Sequence, residues 1–159
     1  MQRFLKLAIA TLAITSAAAA FAADNSLGTW KLNVEKSKYS PGPLPVKSVS
    51  ATREADGDQG VKVTTSGERT DGSAINASYA AKFDGSPASV SGQGAPYDTI
   101  SVKQVNANTF TYEAKNSTNK YHAIGRLMVS ADGKTMTMKA KGTDAEGKPM
   151  SITLVYDKQ

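Results

Sequence analysis

The chain has no cysteine. That excludes disulfides, thiol nucleophiles, thiolate metal sites and an acylated N-terminal anchor, so the fold has to hold by burial and strand pairing alone. It has one histidine, His122. A single imidazole makes no metal centre without carboxylates at a suitable spacing, so His122 reads as strand or surface filler. Large apolar side chains are scarce: Leu, Ile, Val and Phe together number 21 among residues 24–159. So low a fraction borders on that of disordered chains, but low net charge and regular alternation argue for folding. A thin core rich in Ala, Thr and Ser suits a small barrel whose interior is only partly filled. No catalytic motif stands out. Asp71, Asp84, Asp132, Asp144 and Glu146 all fall in turn sequences. Carboxylates there bond the local backbone rather than converge in a cleft for acid–base work. The expectation is a protein that is not an enzyme and needs no metal or cofactor.

What is present begins with a leader. Arg3 and Lys6 flank the start of an apolar stretch, and Ala20-Phe21-Ala22 fits a small-x-small cleavage pattern. Residues 1–23 therefore read as a secretory signal and residues 24–159 as one domain. The apolar run is short for a bilayer span and small residues follow it, so no membrane insertion is expected. The product is expected to be periplasmic or secreted. Losing Arg3 and Lys6 lowers the formal charge from +5 to +3. The remaining lysines are dispersed, which argues against a nucleic-acid partner.

Beyond the leader, short alternating segments follow one another between turn signals. Trp30 and Leu32, with Val34, share one face of a first strand. Three prolines and a glycine within Lys36–Val46 then predict an extended crossing loop. Val46–Glu54 is a strand of weaker contrast. Val61, Val63 and Thr65 alternate cleanly, as do Ile75, Ala77, Tyr79, Ala81 and Phe83, and also Phe110, Tyr112 and Ala114. Met136 and Met138 predict an inward pair, and Met150, Ile152, Leu154 and Tyr156 a last strand. Tyr121–Ser130 carries apolar residues on both faces. The turns are written as Asp-Gly pairs or Asn clusters. About nine or ten strands with short links suit an up-and-down barrel or a sandwich. Closing the sheet removes exposed edges, so an all-β, antiparallel up-and-down barrel is the expected fold. Gly28–Val34 should then pair with Met150–Tyr156, with Trp30 buried.

The two ends of this region carry a resemblance. Gly28-Thr29-Trp30 resembles the start of lipocalins and fatty-acid-binding proteins, and Val155-Tyr156-Asp157-Lys158 the end of the latter. The resemblance implies a lipocalin-like, calycin-type barrel. It also implies that Trp30 plugs the closed end against an arginine of a late strand, for which Arg126 is the candidate. The Arg-x-Tyr that grips a carboxylate in fatty-acid-binding proteins corresponds here to Leu154 and Tyr156, so its charged half is missing. The stretches GTWKLNVEKSKYSPGP and DGKTMTMKAKGTDAEGKP also resemble a family of uncharacterised exported bacterial proteins.

Two functions fit. The first is an exported carrier of a small, partly apolar ligand, acting as a monomer, with Tyr79, Phe83, Phe110, Tyr112, Leu154 and Tyr156 as ligand-binding residues. The phenols either orient a polar ligand or fill volume, and Met136, Met138 and Met150 either line a site or pack the core. The second is a protein-interaction or envelope-stress module with a filled core, working through the Pro-rich loop.

Overall fold

The computed structural model describes residues 23–159. The predicted leader, apart from Ala23, lies outside the described residues. Twelve strands form one antiparallel sheet. In chain order they are β1 (Gly28–Leu32), β2 (Lys38–Ser40), β3 (Val46–Ala55), β4 (Gly60–Arg69), β5 (Ala74–Lys82) and β6 (Asp84–Ser89). Then come β7 (Ser91–Gln93), β8 (Thr99–Asn106), β9 (Thr109–Lys115), β10 (His122–Val129), β11 (Thr135–Thr143) and β12 (Pro149–Lys158). No helix occurs among the described residues.

The sheet runs β6-β8-β9-β10-β11-β12-β1-β3-β4-β5-β7. Residues 84–93 draw its two ends together. Their first part pairs with β8 and their last part with β5, with Val90 between. The result is a nearly closed antiparallel barrel, which is the expected class. The strand count exceeds the nine or ten expected for two reasons. The Pro-rich loop holds a short strand, β2, because Tyr39 meets Ile152 across an edge of β12 that β1 leaves free. Residues 84–93 change partner at Val90, from β8 to β5, and so form two short strands, β6 and β7, rather than one.

First and last strands do meet, but in a shifted register. Trp30 pairs with Lys158 and Leu32 with Tyr156, so β1 covers only the end of β12 and β2 covers Ser151–Thr153. Val34 lies past the end of β1 and is exposed.

Period-2 alternation sorts the strands into an inner and an outer face. On β10 the ambiguity resolves with Ala123, Leu127 and Val129 buried and Ile124 and Arg126 exposed. Gly125 shares the inner face because Tyr112, its cross-strand partner, lies over it. A Cβ there would stand 2.7 Å from Tyr112 Cζ and 2.4 Å from the Lys139 carbonyl oxygen. The core concentrates at one end of the barrel around Trp30, Phe110 and Met136, all fully buried.

That end is closed by residues 23–27, which cross it to the β8–β9 turn. The Asn25 amide donates to the Ala107 carbonyl at 2.9 Å. Ser26, itself fully buried, accepts the Trp30 indole N–H at its carbonyl oxygen at 2.8 Å. The ammonium of Lys158 stands 4.8 Å from the Trp30 ring centre. Arg126, expected to pack on Trp30, is on the outer face of β10. Its phase, opposite to that of the buried Leu127, turns it away from Trp30.

Candidate functional site: a tyrosine-walled cavity

Above the closed end the inner faces stand apart and enclose a cavity of about 380 Å³. All six tyrosines of the chain line it: Tyr39, Tyr79, Tyr97, Tyr112, Tyr121 and Tyr156. Strand alternation delivers Tyr79 from β5, Tyr112 from β9 and Tyr156 from β12 to the inner face. Tyr39 comes from β2, and Tyr121 from the residue before β10. Among the inward residues that border the cavity, Met138, Leu154 and Tyr79 keep some accessible surface.

Tyr97 arrives by a different device. Residues 94–97 fold across the open end and line the cavity with Gly94, Ala95, Pro96 and Tyr97. Gly94 has φ +86°, and a Cβ on it would stand 2.7 Å from the Ala74 carbonyl oxygen, so only glycine lets the segment lie this close to β5. The Arg69 guanidinium donates to the Gly94 carbonyl. Asn116 Nδ2 donates to the Pro96 carbonyl at 3.1 Å, and the Ser117 amide to Asp98 Oδ2 at 2.9 Å. Tyr97 is thereby held against Tyr121, with ring centres 6.1 Å apart and planes 29° from parallel.

None of the six phenol oxygens has a hydrogen-bond partner among the described residues. Nor is any sealed from the cavity space, since among the described residues the only fully enclosed unpartnered side-chain oxygen is Asp24 Oδ2. Burial pushes the Tyr121 hydroxyl up to about 12, aided by Tyr39. Burial, and then neighbouring phenols, hold Tyr97, Tyr112 and Tyr156 well above the usual phenol range. Tyr39 is raised by burial and then by Asp144 and Glu146 at the mouth. These groups are therefore neutral at physiological pH, each able to donate one O–H.

Two arginines line the same cavity, Arg69 at the open end and Arg53 at the floor. Arg53 on β3 is 5 % exposed, in phase with Val49 and Ala51 on the inner face. Its Nε donates to Ser26 Oγ at 2.9 Å, and that hydroxyl donates to Asp24 Oδ1 at 2.5 Å. Its guanidinium carbon stands 5.9 Å from the Phe110 ring centre. Its pull on Tyr156 opposes the upward shift there, so the two groups are within electrostatic reach.

Of the ligand-binding residues expected from sequence, Tyr79, Tyr112, Leu154 and Tyr156 come together in the cavity wall. Phe83 and Phe110 do not. Their rings pack on each other 5.2 Å apart at the closed end, because the cavity begins above Arg53, one layer beyond them. Met136, Met138 and Met150 also line the cavity. Sequence reasoning missed Arg53, Tyr39, Tyr97 and Tyr121. For Arg53 the signal was present: the run Val49, Ala51, Arg53 keeps one phase. No group of three or more metal-ligating side chains occurs among the described residues.

No protein-family model matches the chain, and no curated protein matches its sequence. Solved structures do resemble it. A variant of the fluorescent protein UnaG is similar at a TM-score of 0.54, with 12 % identity over 85 % of this chain and 96 % of that one. The EF1p2-mFAP2b barrel bound to DFHBI gives 0.51, with 11 % identity over 85 % and 94 %. A redesigned β-barrel gives 0.50, with 13 % identity over 85 % and 92 %. The fold is a calycin-like β-barrel. Likeness at this identity speaks for architecture alone.

Proposed function

We propose that the protein is an exported, monomeric binding module that carries or sequesters a small, partly apolar ligand inside its barrel. One observation carries the reading. Every tyrosine of the chain faces one cavity of about 380 Å³, with no hydroxyl bonded to the described protein. Six phenol hydroxyls open to one space, within the ordinary range for small-molecule sites of about 300–1,000 Å³, form a set of hydrogen-bonding groups suited to a ligand. The leader supports a periplasmic or secreted location. One similar barrel is bound to DFHBI, which is in keeping with a fold that hosts small molecules.

The reading is of a binding protein rather than an enzyme. The carboxylates at Asp71, Asp84 and Asp132 each bond a serine or backbone amide within their own turn. The filled-core alternative is disfavoured by the cavity itself. Its Pro-rich loop contributes Tyr39, Leu44 and Pro45 to the cavity wall rather than standing apart from it.

Native mass spectrometry of protein purified from its own cell envelope tests the proposal. A co-purifying mass that is lost on denaturation is the expected result. A bare protein mass, together with an experimental structure in which the six tyrosines close on one another, would overturn it.

A further inference from the structure

The cavity has a charged floor that the carrier reading does not use. Arg53 is 5 % exposed, yet no ion pair reaches it among the described residues. Its Nε is taken by Ser26 Oγ, and Asp24 touches it only through that hydroxyl. One face of the guanidinium lies toward Phe110. The four remaining N–H donors have no partner among the described residues, and Arg53 lines the cavity. Taking a guanidinium out of water is costly unless an anion and hydrogen bonds compensate. The Asp24–Ser26 relay fixes its Nε edge and leaves its fork to the cavity.

We propose that the ligand is a planar aromatic anion, a carboxylate or phenolate with further acceptor oxygens, whose charged group seats on the fork of Arg53. This rests on the cavity being a ligand site. The fork geometry matches a carboxylate bidentately. The Tyr156 hydroxyl, within electrostatic reach of Arg53, adds a donor of the right kind. A saturated alkyl chain is the poorer occupant of the remaining space. It would cover the phenol hydroxyls without pairing them, which costs roughly 1–3 kcal/mol for each group left unsatisfied. A flat ring bearing acceptor oxygens pairs with them and stacks on Tyr97 and Tyr121 as those two stack on each other. The other charges that face the cavity do not compete for the floor. Arg69 is bonded to the Gly94 carbonyl at the open end. Asp144 and Glu146 stand at the mouth beside Tyr39.

Calorimetric titration of the wild-type protein near pH 7 with three probes tests this. They are 6-hydroxy-2-naphthoate, its uncharged 2-carboxamide, and dodecanoate. The naphthoate is expected to bind about 10- to 100-fold tighter than the amide, the range for hydrogen bonds to a charged group. The preference is expected to survive about 0.5 M salt, because a buried pair is little screened. Arg53→Met is expected to erase the preference while leaving amide binding. The wild-type comparison stands by itself if that variant does not fold. Equal binding of naphthoate and amide overturns the anionic seat and leaves the carrier reading intact. Dodecanoate binding more tightly than the naphthoate overturns the aromatic part. Binding of none of the three overturns the inference, and the carrier reading is then decided by the native mass measurement.

Discussion

Ending the chain after Met150 removes most of β12 and tests whether the barrel depends on its two ends meeting. The loss can be sized from the structure. Tyr156 is 5 % exposed, so its burial is worth roughly 2–3 kcal/mol. Leu154 and Ile152 border the cavity and are only partly buried, so about half that applies to each. β12 also loses seven of its nine paired positions on β11, and all of its pairing with β1 and β2. At about 0.5–1.5 kcal/mol net per hydrogen bond, the ladder contributes several kcal/mol more. The total, on the order of 10 kcal/mol, equals the whole stability of an ordinary domain. The truncated chain should not fold. Trp30, the single tryptophan and fully buried, should then emit as exposed indole, and urea titration should show no cooperative transition. A truncated protein that kept a blue-shifted Trp30 and melted cooperatively would refute the closed barrel.

Other consequences follow from single residues. Gly125→Val should destabilise by roughly 1–3 kcal/mol in urea unfolding, because the new side chain has to displace Tyr112 and strain against the Lys139 carbonyl. Ser26→Ala should cost about 1–3 kcal/mol in the same assay, since it strips Arg53 and Asp24 of their shared hydroxyl while sparing the carbonyl that holds Trp30. Arg126→Ala should change stability by less than about 0.5 kcal/mol, as the side chain is exposed and unpaired with Trp30. Alkaline titration has a defined sign. The phenols of Tyr97, Tyr112, Tyr121 and Tyr156 titrate higher folded than unfolded. Their contribution is complete below pH 10 and is lost as pH rises through 12 and beyond. Ultraviolet detection of tyrosinate should show these four ionising together with unfolding; free ionisation near pH 10 in the folded protein would contradict their burial.

The fold was legible because alternation was. Ile75–Ala77–Tyr79 and Met150–Ile152–Leu154–Tyr156 state their inner face outright, and Asp-Gly turns such as Asp132-Gly133 mark the hairpins. The register of β1 on β12 was not legible. Two well-alternating strands pair acceptably at several offsets, and contacts outside the pattern, such as β2 on Ser151–Thr153 and Asn33 on Asp157, select one. Arg126 was misplaced because Tyr121–Ser130 carries apolar residues in both phases. Gly125, which marks the inner face, is silent in a hydrophobic pattern. Half of the tyrosine wall lay beyond reach as well. Tyr39 sits in a proline-rich segment, Tyr97 in a glycine-rich one and Tyr121 just before a strand. Their convergence depends on distant contacts such as Arg69 with Gly94 and Asn116 with Pro96. Phe83 and Phe110 share the phase of the cavity residues but not their height along the barrel axis, a coordinate that alternation does not encode.

The central claim is that the tyrosine-walled cavity receives a small molecule, and the tyrosines themselves are the most direct reporters. All six line the cavity, so protein carrying ring-labelled tyrosine gives NMR signals from the site and from nowhere else. On titration with 6-hydroxy-2-naphthoate, the account predicts saturable shifts in the signals of Tyr79, Tyr97, Tyr112, Tyr121 and Tyr156. Tyrosine signals unmoved by the naphthoate, by its amide and by a small-molecule extract of the source envelope would contradict it.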